Sequence, residues 1–245
     1  TGHASVGGIV GITQVGGSGI LIRDSVVSNS TVTAVGPTQT LGQTHAGGAI
    51  ASLEGNASNI SVSHVTVTGV ELAGGVMAKL QTETSTVTQL TALDVTVTAN
   101  ARAAGLVAEL DGALTHSSVT SSTITGNATY TDSGSGSNAG GAVANAKESA
   151  SIDYVYASDV TVTSNSVAGG LIGETSATSP DATVVQHSYA IRPIVTTTNV
   201  ATVNSLQVGG LIGVTYSDNA ATPDLSATIT DCFVIGGSVS GYATA

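Results

Sequence analysis

Charge is the scarcest commodity in this chain. Five Lys and Arg stand against sixteen Asp and Glu, only 9% of residues are charged, and the net charge is -11 at pH 7. A groove for nucleic acid needs clustered cations, so that function class is excluded. Attachment to an anionic membrane surface is disfavoured for the same reason, and no apolar run is long enough to insert into a bilayer. Cysteine occurs once, at Cys232, which removes any disulfide framework. Tryptophan is absent and the aromatics are six Tyr and one Phe, so the core cannot be built around large rings. No leader pattern opens the chain. Thr1 is read either as the start of a processed chain or as the edge of an excised segment.

What remains is Val, Ala, Ile and Leu, which supply most of a 41% hydrophobic content, together with Thr, Ser and 31 Gly. β-Branched residues and glycine disfavour helix and suit narrow, stacked strands. One phrase keeps returning: Val208-Gly209-Gly210-Leu211-Ile212-Gly213, with versions beginning at Val6, Ala46, Ala73, Ala103, Ala139 and Ala168. Its second glycine position falls at 8, 48, 75, 105, 141, 170 and 210, giving steps of 40, 27, 30, 36, 29 and 40 residues. Seven returns of one phrase predict a repeat architecture, a single domain over residues 1–245 with coils beginning near 6, 46, 73, 103, 139, 168 and 208.

A second pattern accompanies the first. Triplets read Thr31-Val32-Thr33, Thr66-Val67-Thr68, Thr96-Val97-Thr98, Thr123-Ile124-Thr125, Thr161-Val162-Thr163, Ile194-Val195-Thr196 and Ser238-Val239-Ser240. Alternation at period two sends every middle residue inward, which predicts one buried column of Val32, Val67, Val97, Ile124, Val162, Val195 and Val239. Seven residues before each triplet stands a bend position: Asp24, Asn59, Gln89, His116, Tyr154, His187 and Asp231. The next residue (Ser25, Ile60, Leu90, Ser117, Val155, Ser188, Cys232) is small or apolar, and so is the one two further on (Val27 through Val234). About three strands in as few as 27 residues predict an all-β fold, a three-sided parallel β-helix (β-solenoid) of about seven coils. Excess length gathers in Ser/Thr/Asn/Pro-rich insertions, Ala34 to His45, Gly126 to Asn138, Glu174 to Gln186, Thr197 to Gln207 and Val214 to Thr230.

Gly-Gly-Leu-Ile-Gly, followed by His187-Ser188-Tyr189-Ala190 and by Gly237-Ser238-Val239-Ser240-Gly241, resembles the GLUG-motif repeat. That family occurs in large bacterial and protist surface proteins, adhesin types among them. The likeness runs along the whole chain, closest in the last two repeats and looser in the first four. It implies a β-solenoid in an extracellular or cell-surface setting. The motif is structural and transfers no catalytic residue.

An enzyme on such a scaffold needs a cluster of reactive groups. A glycosidase needs paired carboxylates, and the nearest pairing here is Glu109-x-Asp111, placed on a short connecting turn. A lyase needs a base beside cations, yet Arg23, Lys79, Arg102, Lys147 and Arg192 share no column in this register. His116 and His187 share a column with Asp24 and Asp231, but two coils part the histidines, about 10 Å by strand spacing and too far for one zinc. Asp218, Asn219 and Asp224 form at best a loose calcium loop. Cys232 fits a small buried thiol, and Tyr154, Tyr156, Tyr189 and Phe233 fit a local ladder. No cofactor or metal is called for.

Two features rise above this background. Thr31, Thr33, Thr66, Thr68, Thr96, Thr98, Thr123, Thr125, Thr161 and Thr163 are expected to form two outward files, the arrangement ice-binding solenoids use. Exposed strands favour stacked threonines in any case. The phase of the ends is the second: joining the tail to the lead-in of the first phrase spaces Gly210 and Gly8 by 43 residues, near the internal steps of 40. Such ends allow head-to-tail stacking into a filament and equally fit a length of a longer repeat protein. Asn29, Asn56, Asn59 and Asn127 head N-glycosylation sequons. The expectation is a non-enzymatic extracellular structural protein, a segment of a cell-surface fibre or adhesin that self-associates. Ice binding through the threonine files is the alternative, and a carbohydrate-binding module the second.

Overall fold

The computed structural model describes residues 4–13, 19–36, 44–127, 136–147, 149–177, 182–198, 206–217 and 227–242. Most residues of the expected insertions, 37–43, 128–135, 178–181, 199–205 and 218–226, lie outside them, and with them the candidate calcium residues. Among the described residues every element is a β-strand. The strands form three parallel sheets, two of seven strands and one of fourteen, each with open edges.

The glycine phrase straddles two of these sheets. Its first half makes the strands of the first sheet, such as Leu72–Gly74, Arg102–Ala104 and Asn138–Gly140. Its second half makes those of the second sheet, such as Met77–Leu80, Val107–Leu110 and Val143–Ala146. Between them the backbone folds back too tightly for side chains. A Cβ on Gly75 would sit 2.1 Å from the carbonyl oxygen of Gly105, and one on Gly105 would sit 2.2 Å from that of Gly141. Neither has a positive φ, so close approach of neighbouring turns of chain, rather than backbone conformation, demands glycine here.

The chain then enters the third sheet, which carries the triplets. Val32, Val67, Val97, Ile124, Val162, Val195 and Val239 pair one above another in unbroken register. The first six are at most 5% exposed, as alternation requires. Val239 departs from the expected column, 47% exposed, and Val234 departs likewise at 39%. Both lie at the sheet's edge, where no strand packs beyond them among the described residues.

The bend column is also where it was expected. Asp24, Asn59, Gln89, His116, Tyr154, His187 and Asp231 all have φ between 47° and 56°. A second such column, Asn29, His64, Asp94, Ser121, Asp159 and Arg192, precedes the triplets by two residues. Each left-handed residue resets the alternation, so Ala57, Ile60, Val62, Val65 and Val67 are all buried although their spacing is uneven. Bends also break the hydrogen-bond ladder, and serine repairs it. Ser117 donates its hydroxyl to the Thr115 carbonyl at 2.7 Å and accepts from the Leu90 N–H at 3.0 Å. Ser122 and Ser188 repeat the device for Val95 and Val155. That is why small polar residues are tolerated inside an otherwise aliphatic column.

Candidate functional site

A pair of threonine files crosses the third sheet. Thr31, Thr66, Thr96, Thr123 and Thr161 stand in register in one file, which then passes to Ile194. Thr33, Thr68, Thr98, Thr125, Thr163 and Thr196 form the other. None of them is buried, and Thr31, Thr33, Thr66, Thr96 and Thr123 are exposed. The array repeats at about 4.8 Å across the strands and about 6.7 Å along them, set by backbone geometry alone. Such a face offers methyl and hydroxyl groups on a rigid lattice. The left-handed column beside it supplies a charged border, with His64 Nε2 3.7 Å from Asp94 Oδ2 and Arg192 gripping Asp159 through two bonds of 2.7 and 2.6 Å. That grip holds the exposed Asp159 carboxyl below its ordinary pKa, through the Arg192 hydrogen bond first.

The charged groups that seemed scattered are partly gathered. Glu109 does not lie on a connecting turn: it sits within the strand Val107–Leu110 and is 3% exposed. Lys79 Nζ and Lys147 Nζ approach its Oε1 at 2.8 and 2.9 Å, and Arg102 Nη1 approaches Oε2 at 2.6 Å. Three of the five cations therefore converge on one carboxylate. Burial raises its pKa, but the Arg102 charge and the bonds from Lys79 and Lys147 outweigh burial and bring it down to about 2. Asp111 nearby is pushed the other way, chiefly by burial. Lys79, Glu109, Asn145 and Glu174 are successive register partners in the second sheet, four residues after the second glycine of their phrases. That offset was legible in the sequence. Arg102 and Lys147 reach the cluster from other offsets, so only the fold shows them.

The remaining candidates resolve as follows. Tyr154 lies between His116 and His187, with ring centroids 5.1 and 4.7 Å away, which keeps the two imidazoles from a common ion. His187 donates from Nδ1 to Asp153 Oδ1 at 2.9 Å and turns Nε2 toward Asp231 at 3.8 Å. Tyr156, Tyr189 and Phe233 form a separate ladder. Cys232 takes the serine role at its bend, donating to the Thr230 carbonyl at 3.1 Å, and burial raises its thiol pKa. It is only partly buried because it lies in the outermost strand region. The sequon residues Asn29, Asn56, Asn59 and Asn127 are all exposed. Asn56 Oδ1 accepts from the Thr86 N–H, which leaves its Nδ2 free of that bond, whereas Asn59 Nδ2, the atom a glycan would take, donates to Asp24 Oδ1, each at 2.8 Å.

No family model matches the chain, and no curated protein matches it. Among solved structures it is similar to a Bacteroides ovatus protein described as a "putative immunoglobulin A1 protease", with a TM-score of 0.60 at 15% identity. The match covers 85% of this chain and 57% of the other, so the chain spans little more than half of that neighbour. At this identity the likeness is one of fold.

Proposed function

We propose that the chain is a non-enzymatic structural segment of an extracellular, cell-surface fibre or adhesin, built as a three-sided β-solenoid of about seven coils. The observation that carries this reading is the register itself. The chain visits the three sheets in one fixed order, and the same columns recur from Val32 to Val239 without a slip. A body made this way is uniform along its length and suited to spacing or display. The charged groups fit the same reading, since Lys79, Arg102 and Lys147 are engaged by Glu109, and Arg192 by Asp159. Apolar side chains exposed at the two edges, Ile9, Ile12, Leu21 and Val26 at one and Phe233, Val234, Ile235 and Val239 at the other, favour covering by a further coil. On this reading a second copy supplies it, giving head-to-tail filaments.

Negative-stain microscopy of the purified chain across a concentration series is the test. Rods that lengthen with concentration are expected; single short particles at the highest concentration count against self-stacking. The enzymatic reading has its own assay: the Bacteroides ovatus neighbour is named for cleavage of immunoglobulin A1, and fragments appearing on incubation with that substrate overturn the non-enzymatic assignment.

A second reading is favoured by one observation, the in-register threonine lattice. On it, the files bind ice by ordering water between methyl and hydroxyl groups. Thermal hysteresis is then expected from the native chain and lost in the Thr96→Leu and Thr123→Leu variants; hysteresis that survives both removes the idea.

A further inference from the structure

Aromatic side chains are scarce in this chain, yet four of its seven sit with two histidines in one strip of the third sheet. One ladder follows the bend column, His116, Tyr154 and His187, with planes inclined by 22° and 9°. The other starts two residues later, Tyr156, Tyr189 and Phe233, with centroid separations of 5.3 and 4.7 Å and planes within 7°. His116 and Tyr154 are exposed, and Tyr156 and Tyr189 are half-buried. The strip is a surface, not a core.

The backbone marks it further. Tyr154 holds φ at 54°, and His116 and His187 hold 49° and 47°. Left-handed conformation is cheap for Asp and Asn, which fill the same corner at positions 24, 59 and 231, and for His, but expensive for a bulky ring such as that of Tyr154. The Tyr154 ring, kept at a strained corner and left in water, points to a use for it.

We infer that this strip binds an extended, neutral polysaccharide laid along the stacking direction, one sugar to each turn of the chain. The stacked rings cover each other's faces, so ring edges and phenol hydroxyls are what a ligand meets. They recur every 4.7 to 5.3 Å, close to the advance of one pyranose in an extended β-linked chain. From Tyr154 onward each step has a polar group for a sugar hydroxyl: the phenols of Tyr154, Tyr156 and Tyr189 as donors, and as acceptors the carboxylate of Asp231 and the Asp153 oxygen that His187 does not take. A peptide adding by strand pairing alongside Tyr156 and Tyr189 is opposed, because their backbones already pair on both sides within the sheet. An acidic polymer is opposed by the two aspartates and the net charge of -11. The inference does not depend on filament formation.

Affinity electrophoresis of the full chain through gels containing hydroxyethyl cellulose, xylan or galactomannan tests it, with polygalacturonate as the acidic counterpart. Retardation by at least one neutral polymer, and none by polygalacturonate, is expected. The double variant Tyr156→Phe/Tyr189→Phe keeps both stacks and removes two hydroxyls, so it should fold and bind about tenfold more weakly or worse. Tyr154→Asn relieves the strained corner; it should melt no lower than the native chain and still bind less well, which a merely structural Tyr154 would not do. No retardation by any of the three neutral polymers, equal retardation by polygalacturonate, or unchanged binding in the double variant overturns the proposal.

Discussion

Glu109 gives the sharpest test of how this fold handles charge. Its carboxyl has a pKa of about 2 in the folded chain against an ordinary 4.5. A group whose folded pKa is depressed contributes stability above its unfolded pKa and loses it as pH falls toward the folded one. That depression corresponds to about 3 kcal/mol at neutral pH, an upper figure because Lys79, Arg102 and Lys147 are 28 to 39% exposed and water screens them. Glu109→Gln removes the anion and leaves three cations facing one another. It should cost about 3 kcal/mol at pH 7, in the range for breaking a buried ion pair. Lowering the pH protonates the carboxyl in the unfolded chain before the folded one, so the difference should fall to roughly half or less by pH 3. Asp111, whose pKa is raised chiefly by burial, titrates in the opposite sense; it is present in both proteins, so only the part of its shift that comes from the Glu109 charge enters the difference. Urea unfolding followed by circular dichroism at pH 7, 5, 4 and 3 measures this. Equal stability at pH 7, or a gap that stays constant down to pH 3, refutes the reasoning.

Other consequences follow from burial and close packing. Ile124→Ala, deep in the valine column, should lower stability by about 2–5 kcal/mol, whereas Val239→Ala at the exposed edge should change the urea midpoint little. Gly105→Ala places a Cβ 2.2 Å from the Gly141 carbonyl oxygen and should abolish soluble folded protein or shift its melting point far downward. Because burial raises the Cys232 pKa, alkylation by iodoacetamide at pH 7 should be slower than for free cysteine and accelerate as pH rises above 9. Cys232→Ser should melt unchanged, since serine makes the same bend bond at Ser117 and Ser188.

Much of the fold was legible because a repeated chain states its own register. The Thr-Val-Thr triplets and the Gly-Gly phrase had only to be set beneath one another for the buried column, the two threonine files and the first bend column to appear. The second bend column was less visible: Asn29, His64, Asp94, Ser121, Asp159 and Arg192 share no chemistry, only a backbone angle. Each such residue shifts the alternation by one, and period-two patterning carries no mark for that.

What sequence by itself determined about this protein is therefore the periodic part: strands, their inward columns, and the glycines that a neighbouring carbonyl leaves no room to replace. Tertiary structure decided the rest. It brought Arg102 and Lys147 to Glu109 from different positions in their repeats, and it split one apparent aromatic cluster into two stacked ladders. It also exposed Val234 and Val239 while burying their counterparts in earlier repeats. The physical reason is common to all three. Local pattern sets which way a side chain points, but only the next layer of chain determines what it meets there.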